Sequence, residues 1–129
     1  MDQPTETKEE FASRFAHYSR YTKQFDRAIE AVLNGCIKMH TFSPSGRAIY
    51  TVVGRSGEDF IDPFKPFCSC KSFFFGVLGG RNQTCYHLLG YEIAKESERL
   101  DKVNLHDEEL ESFTRFLIHD LADKEQKNA

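Results

Sequence analysis

Four residues in the middle of the chain stand at spacings that suit a metal ion. They are Cys68-Ser69-Cys70 and, after a gap of fourteen residues, Cys85-Tyr86-His87. Zinc prefers thiolate and imidazole, and four such ligands complete its tetrahedron. Each close pair fixes one edge, and the loop closes between them. A one-residue spacer suits an extended Cys68-Ser69-Cys70 segment, whose first and third side chains point the same way. On an ideal helix, residues two apart lie about 200° apart. Cys85 therefore belongs at or just before a helix start, with His87 in the first turn. Three thiolates, one imidazole and Zn²⁺ leave a single net negative charge, and Lys65, Lys71 and Arg81 are close enough in sequence to offset it. Protein fills all four positions, so no water is left to activate. One structural zinc ion is expected, not a catalytic one.

Rival chemistries fit these residues less well. The cysteines can be read as inert buried thiols, but two close pairs with a histidine are more than burial requires. A Cys nucleophile with His87 as base lacks an evident third group, because no carboxylate or amide near His87 stands out to orient it. An iron–sulfur centre with one histidine would be unusual. Cys36 falls outside the pattern and reads as a buried small apolar residue at a strand start. His17, His40, His106 and His119 have no cysteine at ligand spacing and read as ordinary polar or semi-buried side chains.

The remaining composition bounds the setting. The chain has 129 residues, 40% of them hydrophobic, which suits a globular domain with a packed helix or two. A core of that size is marginal enough for a metal staple to matter. No apolar run approaches the roughly 20 residues that span a bilayer, so no membrane partner is expected. Residues 1–10 are acidic and polar, unlike a secretory signal. An intracellular setting is therefore expected, cytoplasmic in a prokaryote and nuclear in a eukaryote. There, cysteines read first as metal ligands or free thiols. Net charge is −3 and uneven: residues 36–91 carry six Lys/Arg against three Asp/Glu, and residues 92–129 carry six against eleven. The central excess is far below that of an autonomous DNA binder.

The elements that must position the ligands follow from periodicity. Across residues 9–34, Phe11, Tyr18, Phe25 and Val32 recur every seven, with Phe15, Thr22 and Ile29 between them, which predicts one helix stopping at Asn34-Gly35. Residues 36–42 and 48–53 are rich in β-branched and aromatic residues and flank Ser43-Pro44-Ser45-Gly46-Arg47, a hairpin. A third short strand is expected over 59–61, ended by Pro63 and Pro66. After the apolar run 73–78 and a Gly79-Gly80 loop, Thr84 is placed to cap a helix to about residue 102, with Leu89, Ile93, Ser97 and Leu100 inward. Asn104 is placed to cap a last helix with an acidic first turn and a stripe of Leu110, Phe113, Leu117 and Leu121. The class is α+β: an N-terminal helix (1–35), a zinc-finger domain (36–103) containing the hairpin or three-stranded sheet and the zinc helix, and a C-terminal helix (104–129).

Cys-x-Cys followed by Cys-x-His at this separation resembles the SWIM zinc finger. Three stretches are similar to the SWIM subunit of Shu-type recombination mediator complexes: residues 43–54, Cys68-Ser69-Cys70 with Ser72 to Leu78, and Cys85-Tyr86-His87-Leu88-Leu89. The likeness covers residues 37–95, about half the chain. It implies a non-catalytic adaptor in homologous recombination that pairs with a RecA-type recombinase paralogue and promotes recombinase loading on single-stranded DNA. One departure is Gly90, where the family usually has Ala.

Two further expectations concern surfaces. The run Phe73-Phe74-Phe75 cannot all point into one small core. One of these rings, with the small Gly90 face and part of the Phe11, Phe15 and Tyr18 seam, would make an apolar patch for the recombinase paralogue or a second copy of the chain. The alternative function is direct nucleic-acid binding through Arg47, Arg55, Lys65, Lys71 and Arg81. The acidic C-terminal third makes contact with single-stranded DNA weak or indirect.

Overall fold

The hairpin at the centre of the chain turns where Pro and Gly place it. In the computed structural model, which describes residues 6–21, 23–54, 57–81 and 83–127 (backbone only for 72 and 121–127), strand β1 (Ile37–Ser43) runs antiparallel to β2 (Arg47–Gly54). Gly46 takes φ +77°, open to glycine, and its N–H donates to Phe42 O at 2.7 Å. Strand β3 (Gly57–Asp62) pairs antiparallel with β2, and the short β4 (Phe67–Cys68) with β3. A fifth strand, β5 (Asp101–His106), lies parallel to β1, giving the order β4-β3-β2-β1-β5. The α+β class holds, with a five-stranded sheet where three strands were expected. The boundary expected at 103/104 falls inside β5.

The predicted 26-residue helix is broken. Helix α1 (Lys8–Ser13) is followed by a 3-10 segment (Ala16–Tyr21) and then α2 (Lys23–Leu33). A straight helix over 9–34 would run about 39 Å, longer than the roughly 26 Å of the longest strand. Folding it back keeps its apolar seam on the sheet: Phe11, Phe15, Ile29 and Val32 are all buried, with the Phe11 and Phe15 rings 5.1 Å apart. Locally, Ser13 Oγ donates to Glu10 O at 2.7 Å, competing with helix continuation, and Thr7 Oγ1 caps the start by accepting from Glu10 N. Thr22 of the expected seam lies outside the described residues.

The zinc-loop helix is also shorter than expected. Helix α3 (Tyr86–Glu96) starts after Cys85 as its N-cap, not from Thr84, whose hydroxyl donates to Cys85 O. It ends where Glu98 adopts φ +58°, and the chain then enters β5. Asn104 therefore pairs in a strand opposite Thr41, and the last helix, α4 (Leu110–Lys127), follows a 3-10 turn (Asp107–Glu109). Among the described residues, no helix is long and apolar enough to cross a membrane.

Strand alternation gives the sheet two working faces. Ile37, Val52, Asp59, Ile61 and Cys68 share one register, and α2 and α3 pack on that side. Gly90 is buried there: a Cβ on it would stand 3.0 Å from Ile37 Cδ1 and 3.9 Å from Ala28 O. The opposite face carries His40, Phe42, Thr51 and Glu58 beneath α4, whose Phe113 ring lies 4.5 Å from His40 and 5.6 Å from Phe42. His40 Nε2 stands 3.0 Å from Thr51 Oγ1, which donates to Glu58 Oε2 at 2.6 Å. The Asp120 carboxylate of α4 accepts from Glu58 N at 2.8 Å and occupies the space any Cβ on Gly57 would need.

Two outcomes test this packing. Gly90→Val should cost about 2 kcal/mol, because it overpacks α3 against Ile37, and denaturant unfolding measures it. First the imidazole of His40, 3.8 Å away, and then the hydrogen bond from Thr51 hold the Glu58 carboxyl below its ordinary 4.5. A depressed folded-state pKa stabilises fully above pH 4.5 and loses that contribution as pH falls through the depressed value. Glu58→Gln should therefore lower stability by about 1 kcal/mol at pH 7, with the two proteins converging in acid.

Candidate metal centre

β4 ends at Cys68, opposite Ile61, so its side chain faces α3. Ser69 continues along β3: its N–H donates to Phe60 O at 2.9 Å, and its Oγ accepts from Phe60 N at 2.9 Å. That extended path brings Cys70 to the same side. A π-helical turn (Ser72–Val77) then starts, with Phe73 N donating to Cys70 Sγ at 3.2 Å. The loop returns to Cys85, extended at φ −108° and ψ 165°, and His87 is the second residue of α3. The four ligand atoms lie within 4.8 Å of one another, and all four residues are buried. A zinc tetrahedron with Zn–S bonds of about 2.3 Å has edges of about 3.8 Å, so the set fits one zinc ion with little closure.

The donor chemistry agrees. The Cys85 thiol is pulled well below its ordinary value, first by the thiols of Cys68 and Cys70 and then by the Leu88 and His87 backbone N–H groups at the start of α3. The same sharing pushes the Cys68 thiol up. Three thiols in one dry pocket compete for protons, and a divalent cation removes that competition. His87 Nδ1 is buried with no hydrogen-bond partner, as a ligand nitrogen would be. Cys36 stands apart: it is half-buried, with its sulfur 4.0 Å from Asn34 O.

One residue beside the site was not foreseen. A carboxylate does stand by His87: Asp59 Oδ2 is 3.4 Å from His87 Nε2, and Asp59 is only 9% exposed. It is 28 positions away in sequence but in the strand register of Ile61, so period-two alternation alone placed an acid on the inward face. His40 is likewise more than an ordinary polar histidine, since it is buried and bonded to Thr51.

The expected docking patch does not form as one surface. Phe11, Phe15, Phe73 and Gly90 are buried in one shared core, Gly90 against Ile37 and Ala28. Tyr18 is half-buried and donates to Glu96 Oε1 at 2.9 Å. Phe74 is exposed, beside exposed Phe75 and Leu78. The basic residues are spread over separate elements. Arg47 opens β2, Lys65 lies in the β3–β4 turn, Lys71 precedes the π-helical turn, and Arg81 donates to Phe75 O at 3.3 Å; Arg55 lies outside the described residues.

The purified protein should carry one zinc ion per chain by metal analysis. Cys36→Ser should leave that stoichiometry unchanged. Cys68→Ala or His87→Ala should lose the metal and unfold the central domain, since binding at such sites contributes on the order of 10 kcal/mol to folding.

No family model matches the chain, and no solved structure matches it. Among curated proteins, it is 33% identical over 70 residues to zinc finger SWIM domain-containing protein 7 of Mus musculus. The match takes in 53% of this chain and 46% of the relative, so the chain spans about half the length of the curated relative it matches. Its sequence is thus similar to a SWIM zinc-finger protein, and its fold gathers a Cys₃His set able to hold one zinc ion.

Proposed function

We propose that this chain is a non-catalytic zinc-binding adaptor in homologous recombination and DNA repair. It binds a RecA-type recombinase paralogue, and the pair promotes recombinase filament loading on single-stranded DNA. The observation that carries the adaptor reading is the closed Cys₃His set: four protein ligands, all buried, leave neither an open metal position nor an accessible thiol. The similarity to a SWIM zinc-finger protein supports it. The recombinase partner rests on the likeness of residues 43–54, 68–78 and 85–89 to the SWIM subunit of Shu-type complexes. The exposed side chains of Phe74, Phe75 and Leu78 offer apolar area for such a partner, or for a second copy of this chain.

A second reading, direct binding of nucleic acid, draws on the cations of the zinc loop. Lys65, Lys71 and Arg81 are exposed, and among the described residues none has an ion-pair partner. Capture of the full chain from its native host, followed by mass spectrometry, should recover a RecA-type paralogue, and Phe74→Ala should lose it with zinc content unchanged. Recovery without any such paralogue would sink the adaptor reading. The protein alone should bind a labelled single strand weakly, losing most binding between about 50 and 200 mM salt. Tight binding at the higher salt would favour the nucleic-acid reading instead.

A further inference from the structure

We infer that Asp59 is the positioning residue of the metal centre: it holds Nε2 of His87 and thereby presents Nδ1 to the zinc. The inference needs only the Cys₃His set and is independent of the recombination reading. The two ring nitrogens have different surroundings. Nε2 faces Asp59 Oδ2 at 3.4 Å, while Nδ1 is buried without a hydrogen-bond partner. His40 Nδ1 is buried and unpartnered too, but only at His87 do three cysteine sulfurs gather with the ring, so there a cation can fill the place. The lone pairs of the two nitrogens diverge in the ring plane, so a carboxylate at Nε2 leaves Nδ1 as the ligand atom.

Reach along the side chain agrees with that choice. Nδ1 is one bond nearer the backbone than Nε2. Cys85 and His87 are separated by a single residue at the start of α3. Two short-reach ligands from neighbouring positions can meet one ion close to the helix end.

Asp59 also ties the two halves of the site together. Its Oδ1 accepts from Ser69 Oγ at 3.1 Å, and Ser69 is the residue between Cys68 and Cys70. One carboxylate on β3 therefore touches the Cys-x-Cys segment through one oxygen and the Cys-x-His helix through the other. Ser69 is held on its other sides by the Phe60 backbone. The spacer of the first pair thus sets the distance between the pairs. A carboxylate on the far nitrogen fixes the ring and raises the basicity of the ligating one.

The test uses the zinc-loaded full chain. Long-range ¹H–¹⁵N NMR of His87 should show Nδ1 metallated and Nε2 protonated. Competition with a chromogenic chelator should show zinc affinity falling about 10- to 100-fold in Asp59→Ala. Asp59→Asn keeps an acceptor oxygen and should recover most of that loss, and Ser69→Ala should weaken zinc by a smaller factor. A merely structural role for Asp59 would lower the unfolding midpoint without moving the ring-nitrogen signature. Metallation at Nε2 in the wild-type protein overturns the inference, as does an Asp59→Ala affinity within about twofold of wild type. Should Asp59→Ala fail to fold, the wild-type nitrogen assignment decides by itself.

Discussion

Three thiols and an imidazole converge within 4.8 Å in a buried pocket, a set that a cation binds most strongly when the thiols are deprotonated. That convergence organises most of the chain. It requires the short β4 to end on Cys68, the next residues to stay extended to Cys70, and α3 to begin at Cys85. The loop between them then has little freedom: Phe73 turns inward, and Phe74 and Phe75 are left outside.

The demand spreads through α3. A helix whose first turn carries a metal ligand must lie flat on the sheet, so seven of its eleven residues are buried. That placement forces the close approach at Gly90 over Ile37 and sets the Tyr91 ring 5.3 Å from Tyr50. Helix α2 packs along α3, with Ala28 and Ile29 fully buried. The second sheet face is built on a different principle. A polar chain from His40 through Thr51 to Glu58 sits under the Phe113 ring, and Asp120 fastens α4 to the β3 backbone.

The ligand set was legible from sequence because Cys-x-Cys and Cys-x-His are local patterns with few alternative uses. The hairpin was legible for a similar reason, since Ser43-Pro44-Ser45-Gly46 has no good place inside an element. What escaped was decided by distant packing. The heptad of Phe11, Tyr18, Phe25 and Val32 reported inward faces well but could not report where the helix must fold back. β5 hid behind helical-looking residues 97–102, because its turn uses Glu98 in the left-handed region, where Gly or Asn is the usual marker. Val103 and Leu105 alternate with polar neighbours, which was the available clue. Asp59 was hidden by sequence distance, since only the sheet register brings it to His87.

The parallel pairing of β5 with β1 has a consequence for the stability of the sheet's far edge. Its partners, such as Lys38 and Asp101, are 63 residues apart, whereas β1, β2 and β3 join through tight turns. Long-range pairing of that kind must overcome the closure entropy of everything between the partners. Here the intervening chain includes both halves of the metal site. Coordination draws Cys70 and Cys85 together and so shortens the effective tether between β1 and β5. A cation held there would lower the closure entropy that the β1–β5 pairing has to overcome, so the far edge of the sheet would draw part of its stability from the metal loop.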